Sequence, residues 1–426
     1  MQKYPTGVEN HGGKLRVWFI YKGVRARESL GVDDTPKNRK VAGEMRASIC
    51  YEIKTGNFDY AARFPSSANL KKFGVERREI EFGELCQKWL NFKEIEVSKN
   101  TLQRYESVIA ALKNYIGPKT PVSLINQESI LELRRELLTG KLLPKNGHVA
   151  SGFGRSASTV KGYLAKLNGL MDFALDNGYI AIQPMTKIQP LKVAKSEPDP
   201  LTKGEFVRML DKSGSRQARN IWSLAVYTGM RHGEICALAW EDIDLIKGTI
   251  TVRRNFTQVR GFSLPKTDSG TDRVISLIEN AIEVLRDQAE LTRLGTQHKV
   301  TVDLREYNKR ESHECTFVFN PLLNAPNGRA GIVYNVSSLY RNWSAALRRA
   351  GIRHRNAYQS RHTYACWLLS AGANPNFIAS QMGHANAKML YQVYGKWMSD
   401  NNQDQIDLLN RSLSGIAPLV PQRRFG

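Results

Sequence analysis

"YTGMRHGEICALAWEDIDL", residues 227–245, is the stretch on which the reading of the chain turns. Its start completes an apolar run, "NIWSLAVYTGM", with helical spacing, and "HGEICALAW" resumes that spacing after a turn at Thr228-Gly229. Arg231 stands just past the turn and Glu234 three residues later, so both lie on one helix face. A carboxylate at that spacing can steady a guanidinium. Taken alone, the plainer reading is a buried structural pair, and only matching chemistry elsewhere would make it more.

Three clusters downstream supply that chemistry. "SLPKTDSGTDRVISL" carries Lys266 in a polar turn between short strands that together span 248–277. A turn lysine is normally just solvated. "AYQSRHTYACWLLSAG" places Tyr358, Arg361 and His362 at the head of an apolar helix. "IASQMGHANAKMLYQVYGKW" brings Gly383-His384 and two tyrosines, Tyr391 and Tyr394, three residues apart. A histidine after glycine more often caps or packs, and an aromatic pair at helical spacing usually packs. The rest of this region is expected to be mostly helical.

Outward from this region the chain divides by pattern. Residues 1–65 read as a small sheet, with "LRVWFIYKGVRARESLGV" (15–32) alternating around aromatic and β-branched residues, then a helix after a proline start. The strands set Arg16, Lys22, Arg25 and Arg27 beside Trp18 and Tyr21, as a DNA-contacting sheet would or as an ordinary solvated face would. Residues 66–80 are polar and charged, as expected of a linker. Residues 81–188 have helical period throughout, in segments that close on glycine. A second linker is expected at 189–198, followed by a Thr202-to-Glu205 capping box that opens a mixed region, 199–400. Residues 401–426 end in "PLVPQRRFG", a flexible tail by composition. The expected fold is therefore α+β and multidomain.

Charge points to a partner. The chain has 426 residues and 62 Lys plus Arg against 40 Asp plus Glu, a formal net charge of +22. That balance suits a polyanion, nucleic acid first, although some soluble proteins are merely basic. Residues 1–65 alone hold 12 basic against 7 acidic side chains, so the excess is not confined to one tail. No apolar run approaches the length of a membrane span, and "MQKYPTGVENHGG" lacks the apolar core of a signal peptide. Five scattered cysteines with no CxxC pair indicate neither a disulfide framework nor a zinc site, and a reducing, cytoplasmic setting is expected.

Taken together and in order, the blocks "YTGMRHGEICALAWEDIDL", "LPKT…R.ISL", "YQSRHTYA…LLSAGANP" and "QMGH…VYGKW" resemble the catalytic domain of tyrosine recombinases, particularly lambda-like phage integrases. Residues 81–188 are similar in position and pattern to that family's core-binding domain, and 1–65 to its arm-type DNA-binding module. The resemblance implies a site-specific recombinase that cleaves DNA through a 3′-phosphotyrosyl link and integrates, and excises, a phage or mobile element. It also implies core-type and arm-type attachment sites, a homotetramer on DNA, a DNA-bending host factor and an excisionase. The setting it implies is the nucleoid of a bacterial host.

The chemistry asks for these residue types. A tyrosine is only about one-thousandth ionised at neutral pH, so it needs help to attack phosphorus. Two guanidiniums can grip the non-bridging phosphate oxygens and stabilise the charge that builds in the transition state. By resemblance Arg231 and Arg361 form this clamp, Lys266 protonates the departing 5′ oxygen, His384 assists, and Glu234 orients Arg231. The nucleophile of similar chains lies about ten residues after the Gly-His histidine and just before Gly-basic-Trp, which selects Tyr394 and leaves Tyr391 to pack. Most of the family has histidine where Tyr358 stands, and a phenol donates hydrogen bonds but is a poor base near neutral pH. His362 and His354 are the substitutes nearby. The scheme requires no cofactor and no metal, and the blocks lack the convergent carboxylates of two-metal nucleases. After the tyrosine, "MSDNNQDQIDLLNRSL" (398–413) is expected to pack against a neighbouring protomer.

Overall fold

The computed structural model describes residues 4–70, 72–73, 79–141, 152–194, 197–325, 330–395, 397 and 402–413. The chain divides into two compact units, Met1–Lys93 with Tyr105–Lys192, and Glu94–Arg104 with Val193–Gly426. No described helix is long and apolar enough to cross a membrane.

The first unit holds two separate cores. Strands β1 (Val8–His11), β2 (Lys14–Tyr21) and β3 (Val24–Asp33) form an antiparallel sheet in that order. Alternation along β2 buries Leu15, Val17 and Phe19 against α1 (Pro36–Thr55) and α2 (Tyr60–Arg63). Thr35 caps α1 through the Asn38 amide and Gly56 ends it with a left-handed φ of 79°. This core does not stop at residue 65. Phe73 packs against the Tyr60 ring at 4.8 Å, and Ser67 and Asn69 donate to the buried Glu28 carboxylate, so the expected linker begins later than its composition suggested. The opposite sheet face carries Arg16, Trp18, Arg25 and Arg27. Tyr21 points to the core instead, and Lys22 sits in the β2–β3 turn, its ammonium donating to the Phe73 carbonyl at 3.1 Å.

The second core of this unit is helical throughout: α3 (Phe82–Glu96), α4 (Lys99–Ile116), α5 (Gln127–Thr139) and α6 (Ala157–Asp176). The apolar stripes expected from sequence meet here, with Leu85, Leu112, Leu167 and Leu170 fully buried. Each such leucine contributes about 2 kcal/mol relative to exposure.

In the other unit, α7 (Lys203–Asp211) opens with the expected Thr202–Glu205 capping box. Helix α8 (Arg216–Thr228) is buried along most of its length and ends at Gly229, where φ is 62°. A Cβ at Gly229 would lie 2.4 Å from the Tyr364 ring, so only glycine fits this turn. After α9 (His232–Cys236) the chain runs through β4 (Ile243–Asp244), β5 (Thr249–Val252), β6 (Asn255–Thr257), β7 (Gly261–Ser263) and β8 (Arg273–Ser276) to α10 (Glu279–Thr292). The rest of the region was expected to be mostly helical, and five helices do follow, but after the first of them β9 (His298–Asp303) and β10 (Arg310–Cys315) form an unforeseen hairpin that joins β7 and β6 in the sheet order β10-β9-β7-β6. The signal was Val300 and Val302 in alternation, masked by the charged residues between and after them.

Helices α11 (Val336–Arg349), α12 (Gln359–Ser370), α13 (Pro375–Met382) and α14 (Lys388–Tyr394) complete the catalytic-type region. A further helix spans Asn402–Leu413. The tail expected beyond it lies outside the described residues.

Candidate active site

The turn between α8 and α9 begins the site. The Arg231 backbone amide and its Nη1 both donate to Glu234, at 2.9 and 3.0 Å. Glu234 is fully buried and has a second, stronger partner. Arg273 grips it with two bonds, Nη1 to Oε1 at 3.0 Å and Nη2 to Oε2 at 2.6 Å. Burial opposes ionisation of this carboxyl, yet Arg273 and then Arg231 hold its pKa below the ordinary value. Sequence reasoning missed Arg273, although a signal existed. It occupies a core-facing position of β8, where alternation calls for an apolar residue. Its Nε and Nη1 go on to the carbonyls of Gln381 and Gly270, each with good geometry.

Arg361 lies in the first turn of α12 and is 1% exposed. Its Nη1 donates to the Gly229 carbonyl at 2.5 Å, and its Nη2 to the Met382 carbonyl at 2.6 Å and His384 Nε2 at 2.9 Å. Burial pushes this guanidinium down to about 10, still a cation at neutral pH. One arginine thus ties the α8–α9 turn to the α13–α14 turn, which is why distant motifs share one site. Since His384 accepts through Nε2, its proton sits on Nδ1, and that buried atom has no hydrogen-bond partner among the described residues. Burial and the cationic Arg361 lower the His384 pKa to about 4.

The second half of α14 separates the two tyrosines, and not as expected. Tyr391 was expected to pack, yet it is 53% exposed, whereas Tyr394 is 3% exposed. Leu390 and Tyr394 share the core-facing stripe of this short helix, and Tyr391 falls one residue beyond it. The Tyr394 hydroxyl lies 2.6 Å from His362 Nδ1. Burial raises the tyrosine pKa and lowers that of His362, so the hydroxyl donates to a neutral imidazole.

The Tyr358 side chain makes no hydrogen bond to the tyrosine or to either clamp arginine; its carbonyl accepts only the Arg361 and His362 backbone amides, at 3.1 and 3.4 Å. Its ring stands edge-on to His362 at 5.4 Å and to His232 at 6.1 Å. His232 is buried and bonded to Ser360 Oγ at 3.0 Å, and burial lowers it to about 4. His354 is exposed on the loop before α12. Lys266 is exposed between β7 and β8 and has no hydrogen-bond or ion-pair partner among the described residues. Of the residues singled out from sequence, six are joined in three pairs, Arg231 with Glu234, Arg361 with His384, and Tyr394 with His362. Lys266 and Tyr358 are not.

Comparison with known proteins bears on the same regions. A family model described as "Phage integrase family" matches residues 201–398, and one described as "Arm DNA-binding domain" matches 5–68. The chain is 52% identical over 382 residues to the IntQ protein of Escherichia coli (strain K12), described as defective, covering 90% of this chain and 96% of that one. It is 45% identical over 415 residues to the prophage integrase IntR of the same strain, covering 97% and 100%. In fold it is similar to a lambda integrase dimer bound to a COC′ core site, at TM-score 0.57 and 16% identity, covering 95% of this chain and 97% of that one.

Proposed function

The chain belongs to the phage integrase family and is a site-specific tyrosine recombinase, and from that premise we propose how its own residues do the chemistry. Tyr394 Oη attacks the scissile phosphorus and the P–O5′ bond breaks, leaving a 3′-phosphotyrosyl link and a free 5′ hydroxyl. Arg231 and Arg361 hold the non-bridging oxygens, and Lys266 gives the leaving oxygen its proton. His362 Nδ1 accepts the tyrosine proton, taking over the task that Tyr358 cannot perform. The partner strand's 5′ hydroxyl then reverses the step, so the bond energy is kept and no nucleotide is consumed. The Tyr394–His362 bond at 2.6 Å, beside the anchored Arg361, is the observation that carries this reading. The unpaired Nδ1 of His384 adds to it, because a bound phosphate oxygen would relieve that buried donor. Since Tyr394 is covered, DNA docking must expose its hydroxyl before attack.

The partners in this reading are duplex attachment sites. Residues of the second unit act on the core-type site, and the first sheet on the arm-type site, with excision as well as integration as outcomes. A homotetramer on DNA, a bending host factor and an excisionase belong to the same proposal. A solved lambda integrase tetramer is bound to a Holliday junction, which is in keeping with four copies acting together.

Two tests belong here. Cleavage of a nicked duplex should drop to half its neutral-pH rate only below pH 6.5, the ordinary imidazole value. The sign follows from a lowered pKa: His362 stays neutral, and able to accept, until the pH drops below its folded value. His362→Ala should slow cleavage about a hundredfold and remove that acid limb. A limb at or above 6.5, or an unimpaired variant, rejects the histidine's role. On the first sheet, Arg25 covers the Trp18 ring at 4.3 Å, and Arg27 sits opposite Trp18 across the β2–β3 pair. Arg25→Ala should weaken binding to an arm-type duplex and reduce the salt slope by about one, leaving core-duplex cleavage unchanged. Equal binding by wild type and variant in a salt titration would show that this face is merely solvated.

A further inference from the structure

The loop that carries Lys266 has little structure of its own: it leaves β7 at Ser263, forms one 3-10 turn at Asp268–Gly270, and enters β8 at Arg273. Yet it is held at both ends. On the far side, Thr267 Oγ1 and Ser269 Oγ donate to the Gly383 carbonyl at 3.1 and 3.3 Å, next to His384. On the near side the partner is Arg305, in the β9–β10 hairpin that the sequence did not foretell. Its Nη2 donates to the Pro265 carbonyl at 3.1 Å and to Thr271 Oγ1 at 2.9 Å, and its Nε meets Asp268 at 2.6 Å. One guanidinium therefore bridges three points of the loop, one immediately before Lys266 and two after it. Parallel pairing of β7 with β9 fixes the hairpin, with Ser263 opposite Asp303 and the Leu264 amide donating to the Asp303 carbonyl.

From this geometry we infer that Arg305 is a positioning residue, which holds the Lys266 loop so that the ammonium meets the departing 5′ oxygen. The inference rests on Lys266 being the proton donor. The ion pair to Asp268 is not what matters, because Asp268 is 90% exposed and such pairs contribute little. What matters is that the two hydrogens of one terminal nitrogen, Nη2, go to a backbone carbonyl and a hydroxyl on opposite limbs of the loop, at the end of a side chain longer than lysine's. Without it, the Lys266 side chain rides on a loop whose remaining tethers, to Gly383, Arg273 and Val252, all lie on the limb after the lysine. Misplacing a proton donor by about 1 Å is enough to cost on the order of a hundredfold in rate.

The experiment uses the full chain and a nicked suicide duplex, made with either the natural 5′ oxygen or a bridging 5′ sulfur at the scissile phosphate. Sulfur leaves as a thiolate and needs no proton, so a defect confined to protonating the leaving group disappears with it. Arg305→Ala should form adduct about ten- to a hundredfold more slowly than wild type on the oxygen duplex. On the sulfur duplex it should come within about twofold of wild type, and Arg305→Lys should fall between wild type and Arg305→Ala on oxygen. Equal slowing on both substrates means that Arg305 only supports the fold, and no slowing on either means that it does nothing for the loop; both overturn the inference. Lys266→Ala, measured alongside, separates this from the underlying assignment. Sulfur should restore it too, and a defect that persists on sulfur rejects Lys266 as the donor, independently of what Arg305→Ala shows.

Discussion

Tyr394→Phe should form no covalent protein–DNA adduct, a loss on the order of a millionfold or to the limit of detection, while Tyr391→Phe should form it at the wild-type rate. The hydroxyl oxygen, the proposed nucleophile, is the only heavy atom removed in the first variant. Its ring keeps the packing that makes Tyr394 3% exposed, so the protein should fold, with about 1 kcal/mol lost from the missing bond to His362. Tyr391, 53% exposed and outside the bonded cluster, has nothing to lose. Denaturing gels of a nicked core duplex read both variants directly. An adduct from Tyr394→Phe, or its absence from Tyr391→Phe, would move the chemistry to the wrong tyrosine for this account.

Glu234→Ala comes next in size, and it should damage stability and cleavage together. The carboxylate is wholly buried between Arg231 and Arg273, and removing it strands two cations. Breaking a buried pair in this way costs about 3–5 kcal/mol. Arg231 would also lose its orientation, so adduct formation should fall even at temperatures where the variant is folded. The double change Glu234→Ala with Arg273→Ala should recover part of the stability and none of the cleavage, because the stranded cation goes and Arg231 stays loose. Because the Glu234 pKa is lowered in the folded protein, its contribution is complete above 4.5 and drains away as acid takes the pH through the folded value. Urea melts at several pH values measure this. A Glu234→Ala protein that melts and cleaves like wild type would make the pair ornamental.

The bond network shows how far local reading reaches. Helix ends at Pro36, Thr202 and Gly229 were legible because proline starts, caps and left-handed glycines depend on neighbours in sequence. The helical stripes of residues 81–188 and the strands on either side of Lys266 were legible for the same reason, through their periods. The β9–β10 hairpin was not, since its two buried valines sit among charges whose accommodation depends on pairing with β7, some forty residues away in the chain. Extension of the first core to Phe73 escaped notice too, because a linker composition conceals one aromatic that reaches back to Tyr60.

What the sequence by itself determined was the set of reactive groups and their order: two arginines, a lysine, histidines and a tyrosine, in blocks whose likeness to a recombinase family carried the function. Only the tertiary structure decided which groups serve each other. It assigned Glu234 to Arg273 before Arg231, gave the Tyr394 hydroxyl to His362 and not to Tyr358, and turned Tyr391 outward. It also brought Arg305 to the Lys266 loop. The physical reason is that composition and period report what a residue can do and which face it occupies. Hydrogen-bond partners across the fold depend on atoms placed to within a few tenths of an ångström, and only the packed chain supplies that.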